Sequence, residues 1–135
     1  MKTLRVGIAT YEEMKSRSIA IARGDLKRSP DSPRVWFRSV ESFAKVLSGS
    51  NQALLQMIRE HKPNSLDELA TLSNRKKSNL SRTLRTMESY GLVELQQGEK
   101  RRIVPKVLYE HIMLDVSLAK GIDEASDVDQ NAVLA

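Results

Sequence analysis

Leu80, Leu84 and Met87 recur at helical spacing inside an otherwise polar stretch, and this stripe constrains the chain more than any other feature. At about 100° per residue the three apolar side chains share one face of a helix running from about Lys77 to Tyr90, so that face must meet a core. Ser78, Arg82, Arg85 and Ser89 gather on the opposite side, with Asn79 and Ser81 on its flanks. One face packs, and the other offers hydrogen-bond donors.

The neighbouring residues say what that helix belongs to. Upstream, Ser65-Leu66-Asp67-Glu68 marks a helix start: the serine hydroxyl can accept from a free backbone N–H, and Glu68 can reach back to the serine's own N–H. Leu66, Leu69 and Ala70 form a stripe that the polar run Ser73-Asn74-Arg75-Lys76 interrupts, so this first helix is short and ends near Ser73. Asn74 suits the turn, because asparagine tolerates the left-handed backbone conformation better than most residues. Downstream, Gly91 ends the long helix, and Leu92, Val93 and Leu95 lead into a strand. The polar run Gln96 to Lys100 separates that strand from a second β-compatible stretch, Arg101 to Val104. The hairpin tip carries Lys100, Arg101 and Arg102.

Helix, turn, longer helix and basic-tipped hairpin form the layout of a winged helix-turn-helix. The expected fold class is therefore α+β, a mainly helical winged helix-turn-helix domain with a β-hairpin wing and short flanking strands. In that layout the second helix enters the major groove of double-stranded DNA, where arginine can grip guanine and asparagine can grip adenine. Ser78, Asn79, Ser81 and Arg82 are the candidates for base edges. Lys76, Lys77, Arg85 and the wing cations Lys100, Arg101 and Arg102 are the candidates for phosphates, and Arg75 completes the expected DNA-binding set. Lys76 and Lys77 at a helix start oppose the helix dipole, a placement that makes sense if a phosphate arrives there. The bland alternative is a solvated helix face and a solvated turn; the capped helix before it and the basic hairpin after it favour DNA.

Residues 65–93, most densely ELATLSNRKKSNLSRTLRTMESYGLV, resemble the winged helix-turn-helix of MarR-like transcriptional regulators. The wider pattern, with LRVGIATYEEM near the start, VWF, the winged core and YEHIMLDVSL, is similar to a family of small prokaryotic DNA-binding regulators, some of them regarded as antitoxins. The resemblance implies a sequence-specific double-stranded DNA-binding transcriptional regulator, acting as a repressor or autoregulator. It also implies a homodimer, since one recognition helix reads few base pairs and twofold symmetry doubles the contacts. The alternative function is an antitoxin that neutralises a toxin encoded by a neighbouring gene and autoregulates its operon. A third reading is a protein-interaction scaffold that uses a winged helix without touching DNA.

Charge placement supports the first reading. Residues 75–102 hold eight cations against three acids, an excess equal to the net charge of +5 of all 135 residues. Such a face concentrates polyanions and gains affinity by counterion release. Residues 1–30 carry seven cations and three acids and residues 119–135 one cation and four acids, so the two ends have opposite sign, which fits the antitoxin alternative, a segment that folds on a partner.

Other classes of function find little here. The chain has no cysteine, which removes disulfides, thiol nucleophiles and cysteine zinc sites. His61 and His111 are far apart, and neither is accompanied by a nucleophile, phosphate loop or metal spacing. No catalytic residue, cofactor or metal is expected, and the protein is not read as an enzyme. No long apolar run or secretory leader is present, so no membrane association and a cytoplasmic location are expected.

The remaining elements divide the chain coarsely. Residues 1–34 are expected to form a strand (Thr3 to Ile8), a helix opened by a capping box at Thr10-Glu13 and carrying Met14, Ser18, Ile21 and Ala22, and a linker from Gly24. Residues 35–107 hold the winged domain. In it Val35-Trp36-Phe37 is a strand or apolar anchor, Ser39 starts a helix with Val40, Phe43 and Leu47 on one face, and Ser50 or Asn51 opens the next, with Leu54, Met57 and Ile58 inward and Pro63 closing it. Trp36 and Phe37 are read as core or dimer interface in preference to base-stacking residues. In residues 108–118 Ile112, Leu114, Val116 and Leu118 alternate as in a strand, while Leu108, Ile112 and Met113 would also allow a helix; the family resemblance favours the strand, placed to pair with the N-terminal one. Residues 119–135 are expected to be an acidic, mobile tail.

Overall fold

The computed structural model describes residues 2–118, so the expectation for residues 119–135 lies outside the described part. The architecture is α+β, with five α-helices and five strands among the described residues. The described chain divides into two compact units, one made of Lys2 and residues 44–111, the other of residues 3–43 and 112–118. No helix among the described residues is long and apolar enough to cross a membrane.

The unit built from the N-terminal part begins with β1 (Thr3–Ile8), where Leu4 and Val6 alternate inward as a period-two pattern requires. Helix α1 (Tyr11–Arg23) follows and returns the chain to β2 (Val35–Phe37), which lies parallel to β1. The helix starts where the capping box was expected: Thr10 Oγ1 accepts from the Glu13 N–H, and Glu13 Oε1 accepts from the Thr10 N–H at 3.0 Å. It stops at Gly24, whose φ of 81° is left-handed. The expected apolar stripe is only partly covered, since Met14 and Ile21 are half-buried and no residue of α1 is fully buried.

Strand β1 is the middle of a three-stranded sheet in the order β2-β1-β5, so the C-terminal strand does neighbour the N-terminal one. That strand, β5 (His111–Asp115), is shorter than the alternation suggested. Val116 and Leu118 lie beyond it and are exposed. The segment Gly24–Arg34 contains no regular element, yet it is fastened to the sheet: Ser32 is buried, and the Arg34 N–H donates to the Arg5 carbonyl at 3.0 Å.

Trp36 and Phe37 are packed. Phe37 is buried and meets Phe43 edge to face, with ring centroids 5.3 Å apart. Trp36 pairs in register with Gly7, and its ring lies over the place where a β-carbon on Gly7 would be. The Arg17 guanidinium sits 5.1 Å from the same ring centroid, a cation–π arrangement. Burial, and next the like charge of Arg28, lower the pKa of Arg17 from its ordinary value. The guanidinium keeps its proton even so.

Helix α2 (Val40–Val46) starts after Ser39, whose hydroxyl accepts from the Ser42 N–H, and the division between the units falls inside it. The second unit then runs α3 (Gly49–His61), α4 (Leu66–Ser73), α5 (Lys77–Ser89), β3 (Val93–Gln97) and β4 (Ile103–Val107). Its core is formed by Leu54, Leu55 and Ile58 of α3, Leu66 and Leu69 of α4, and Leu80, Leu84 and Met87 of α5, closed by Leu92 and Val93. The α5 stripe is fully covered, each of its three residues having 0% exposure.

Three local expectations are corrected. Helix α3 is capped by Ser48, whose hydroxyl accepts from the Asn51 N–H, and not by Ser50 or Asn51. Asn51 instead turns its amide back to the Val46 carbonyl at 2.9 Å. At α4 the Ser65 hydroxyl takes the Glu68 N–H as expected, but Glu68 Oε2 accepts from Asn64, one residue earlier than a reciprocal box requires. Strand β4 begins at Ile103, two residues later than expected. Lys100 and Arg101 both adopt left-handed φ, 54° and 62°, and so belong to the turn.

Candidate nucleic-acid interface

The unit holding α3 to β4 shows how each candidate side chain is held. Helices α4 and α5 are joined by a short turn in which Asn74 has φ 58°, as its tolerance of that conformation suggested. The turn is pinned by Arg75. Its guanidinium donates to Asn51 Oδ1 at 3.1 Å and to the Ser50 carbonyl at 2.9 Å, both at the start of α3. Arg75 is half-buried and acts as a strut between the turn and α3.

Helix α5 begins at Lys77, and Lys76 before it makes no side-chain cap bond. Its first N–H groups carry the positive end of the helix dipole and are left to solvent or to an arriving anion. Lys76, Lys77, Ser78, Asn79, Arg82 and Arg85 are exposed, and Ser81 is half-buried on the flank. Two hydroxyls lower on the helix are spent on its own backbone: Thr86 Oγ1 donates to the Arg82 carbonyl at 3.1 Å and Ser89 to the Thr86 carbonyl at 2.6 Å. The donors toward the N-terminal half of α5 are therefore the ones turned outward.

The end of α5 fixes the hairpin to it. Gly91, with φ 77°, lets the Leu92 N–H reach the Met87 carbonyl and its own N–H reach Glu88, both at 2.9 Å. Glu88 Oε2 accepts from the Leu95 N–H at 3.0 Å, so the residue whose carbonyl closes the helix also holds β3 through its side chain. Strands β3 and β4 pair antiparallel from Val93↔Val107 to Gln97↔Ile103. At the tip, the Gly98 N–H donates to the Arg102 carbonyl at 2.7 Å, and a β-carbon at Gly98 would lie 2.8 Å from Val104 Cγ2. Lys100, Arg101 and Arg102 are all exposed there.

A groove of about 410 Å³ forms where the starts of α4 and α5 meet the hairpin tip. It brings Lys77 together with Lys100, Arg101 and Arg102, four of the expected phosphate-contacting cations, beside Ser65 and Asp67. Arg82, Arg85, Ser78 and Asn79 do not line it and belong to the outward face of α5. Sequence reasoning missed Asp67, which holds Lys77 Nζ at 3.1 Å. Ten residues and a turn separate the pair, so no helical period connects them. The available signal was the opposite charge of two residues at the starts of consecutive helices.

Residues 46–114, 69 of the 135, match the protein family HVO_A0114. The chain belongs to the HVO_A0114 family. The HVO_A0114 match runs from the end of α2 into β5 and takes in all of the groove and α5. No curated protein and no solved structure matches the chain.

Proposed function

We propose that this HVO_A0114 protein is a sequence-specific double-stranded DNA-binding transcriptional regulator of MarR-like winged-helix type, acting in the cytoplasm as a repressor or autoregulator. The observation that carries the reading is the division of α5. Leu80, Leu84 and Met87 are sealed into the core while Ser78, Asn79, Arg82 and Arg85 face outward, and a hairpin with three exposed cations stands directly after it. A helix of this build can lie in the major groove, with hydrogen-bonding side chains at the base edges. The groove cations and the uncapped α5 start then meet phosphates on either side.

In this reading Asn79, Ser78, Ser81 and Arg82 read bases, whereas Lys76, Lys77, Arg85, Lys100, Arg101 and Arg102 hold the backbone. Arg75 supports both groups by fixing the turn. The protein binds as a homodimer, because one short reading helix contacts too few base pairs for genomic specificity and a twofold pair doubles them. The test is binding and footprinting on the DNA upstream of the protein's own gene, wild type against Arg82→Ala. The substitution is expected to weaken operator binding by roughly 1–3 kcal/mol and to relax preference at one base pair of each half-site. An unchanged affinity and footprint would remove Arg82 from the base-reading set, and no binding at low salt would remove the function.

A further inference from the structure

We propose that Asp67 is a built-in competitor for the phosphate that Lys77 would hold, and that it sets the level of sequence-independent DNA affinity. This rests on the DNA-binding reading and adds a residue that opposes it. Within the groove, Lys77, Lys100, Arg101 and Arg102 form a positive cluster, and Asp67 is the one acid among the lining residues. Its Oδ1 is 3.1 Å from Lys77 Nζ. The two side chains are 75% and 59% exposed, so water screens the pair and it opens readily.

A first-turn acid could be there only to favour the start of α4. That work is already done by Glu68, which accepts from the Asn64 N–H, and by Ser65, which takes the Glu68 N–H. Asp67 is turned instead to the cation at the start of the next helix. A phosphate oxygen that took over the Lys77 ammonium would stand two hydrogen-bond lengths from the carboxylate, about 6 Å away. Because the ammonium has three donors, such a phosphate either displaces Asp67 or shares the cation with it and bears its repulsion. With screening between that of bulk water and half its dielectric constant, the repulsion corresponds to about three- to tenfold in affinity. Salt screens this repulsion, so its effect is largest at low ionic strength.

The experiment measures anisotropy of a short labelled duplex of arbitrary sequence across a salt titration, with wild type, Asp67→Asn, Lys77→Gln and the double variant. Asp67→Asn is expected to bind about three- to tenfold tighter at low salt, the gain shrinking as salt screens the repulsion, and it should vanish on the Lys77→Gln background. Asp67→Glu keeps the charge and should behave as wild type. If Asp67→Asn fails to fold by circular dichroism, Asp67→Ser makes the same change of charge. Unchanged or weaker binding by the neutral variant overturns the proposal. An equal gain with and without Lys77 also overturns it, since that describes general repulsion and no competition. Normal wild-type binding, weakened by Lys77→Gln yet indifferent to Asp67, sinks this inference alone. A wild type that never binds the duplex sinks both it and the DNA-binding reading.

Discussion

Replacing Gly7 with alanine tests the packing of the N-terminal unit through a single reporter. A β-carbon at Gly7 would sit 2.4 Å and 2.6 Å from two ring carbons of Trp36, whereas carbon atoms rest at about 3.5–4.0 Å. The ring must therefore retreat by about 1 Å or more. It cannot do so freely, because β1 and β2 are in register at Gly7↔Trp36 and the Arg17 guanidinium lies over the ring. Overpacking of this kind costs about 1–3 kcal/mol, and disturbing the cation–π contact adds roughly 0.5–1 kcal/mol. A loss near 2 kcal/mol lowers a urea midpoint by about 1 M for a unit of this size. Trp36 is the only tryptophan of the chain, so its emission reports both the displacement, as a shift to longer wavelength, and the unfolding midpoint. Trp36→Leu combined with Gly7→Ala should recover part of the loss by making room, a midpoint read by circular dichroism since that variant has no tryptophan. An alanine variant with the wild-type spectrum and midpoint would refute the claim that glycine is required beneath the ring.

Two further substitutions separate support from contact. Arg75→Ala removes the bonds to Asn51 and the Ser50 carbonyl, for a loss of about 1–3 kcal/mol of stability. It should weaken DNA binding without altering the salt slope, and a slope flattened by about 0.9 in mobility-shift titrations would mean that Arg75 contacts a phosphate directly. Arg101→Gly relieves a left-handed backbone, a strain of roughly 1–2 kcal/mol that glycine's extra chain entropy offsets in part. Thermal unfolding should therefore be unchanged or slightly later, while duplex binding weakens and its salt slope falls by about 0.9. A clearly earlier unfolding transition would contradict the turn geometry.

What could be read in advance was governed by short-range physics. The buried stripe of α5, the turn at Asn74 and the stop at Gly91 each follow from a helical period or from one residue's backbone preference. The structure has all three where they were expected. At the start of α3, Ser48, Ser50 and Asn51 are all competent caps, and only the backbone path selects Ser48. Nothing in the residue types of Lys100 and Arg101 announces the left-handed conformation that delays β4 to Ile103. In the candidate interface the exposed face of α5 was legible, while the strut from Arg75 to α3 and the pair Asp67–Lys77 were not. Those contacts join residues brought together by the packing of separate helices, and periodicity holds no information about which polar side chains then meet.

The bond from Glu88 to the Leu95 N–H joins the closing turn of α5 to the hairpin, with only a few residues of chain between them. On the proposed reading, the side chains that probe bases and the cations that grip phosphates are thus mounted on one bracket, tied at the base of the hairpin, and a shift of either to suit the duplex pulls on the other. Adjustment then falls to the DNA. Sites whose groove width already matches the bracket, or whose base steps bend cheaply toward it, gain an advantage at positions that no side chain touches. Part of the preference of such a protein would lie in the stiffness of its target and not in any hydrogen bond to a base.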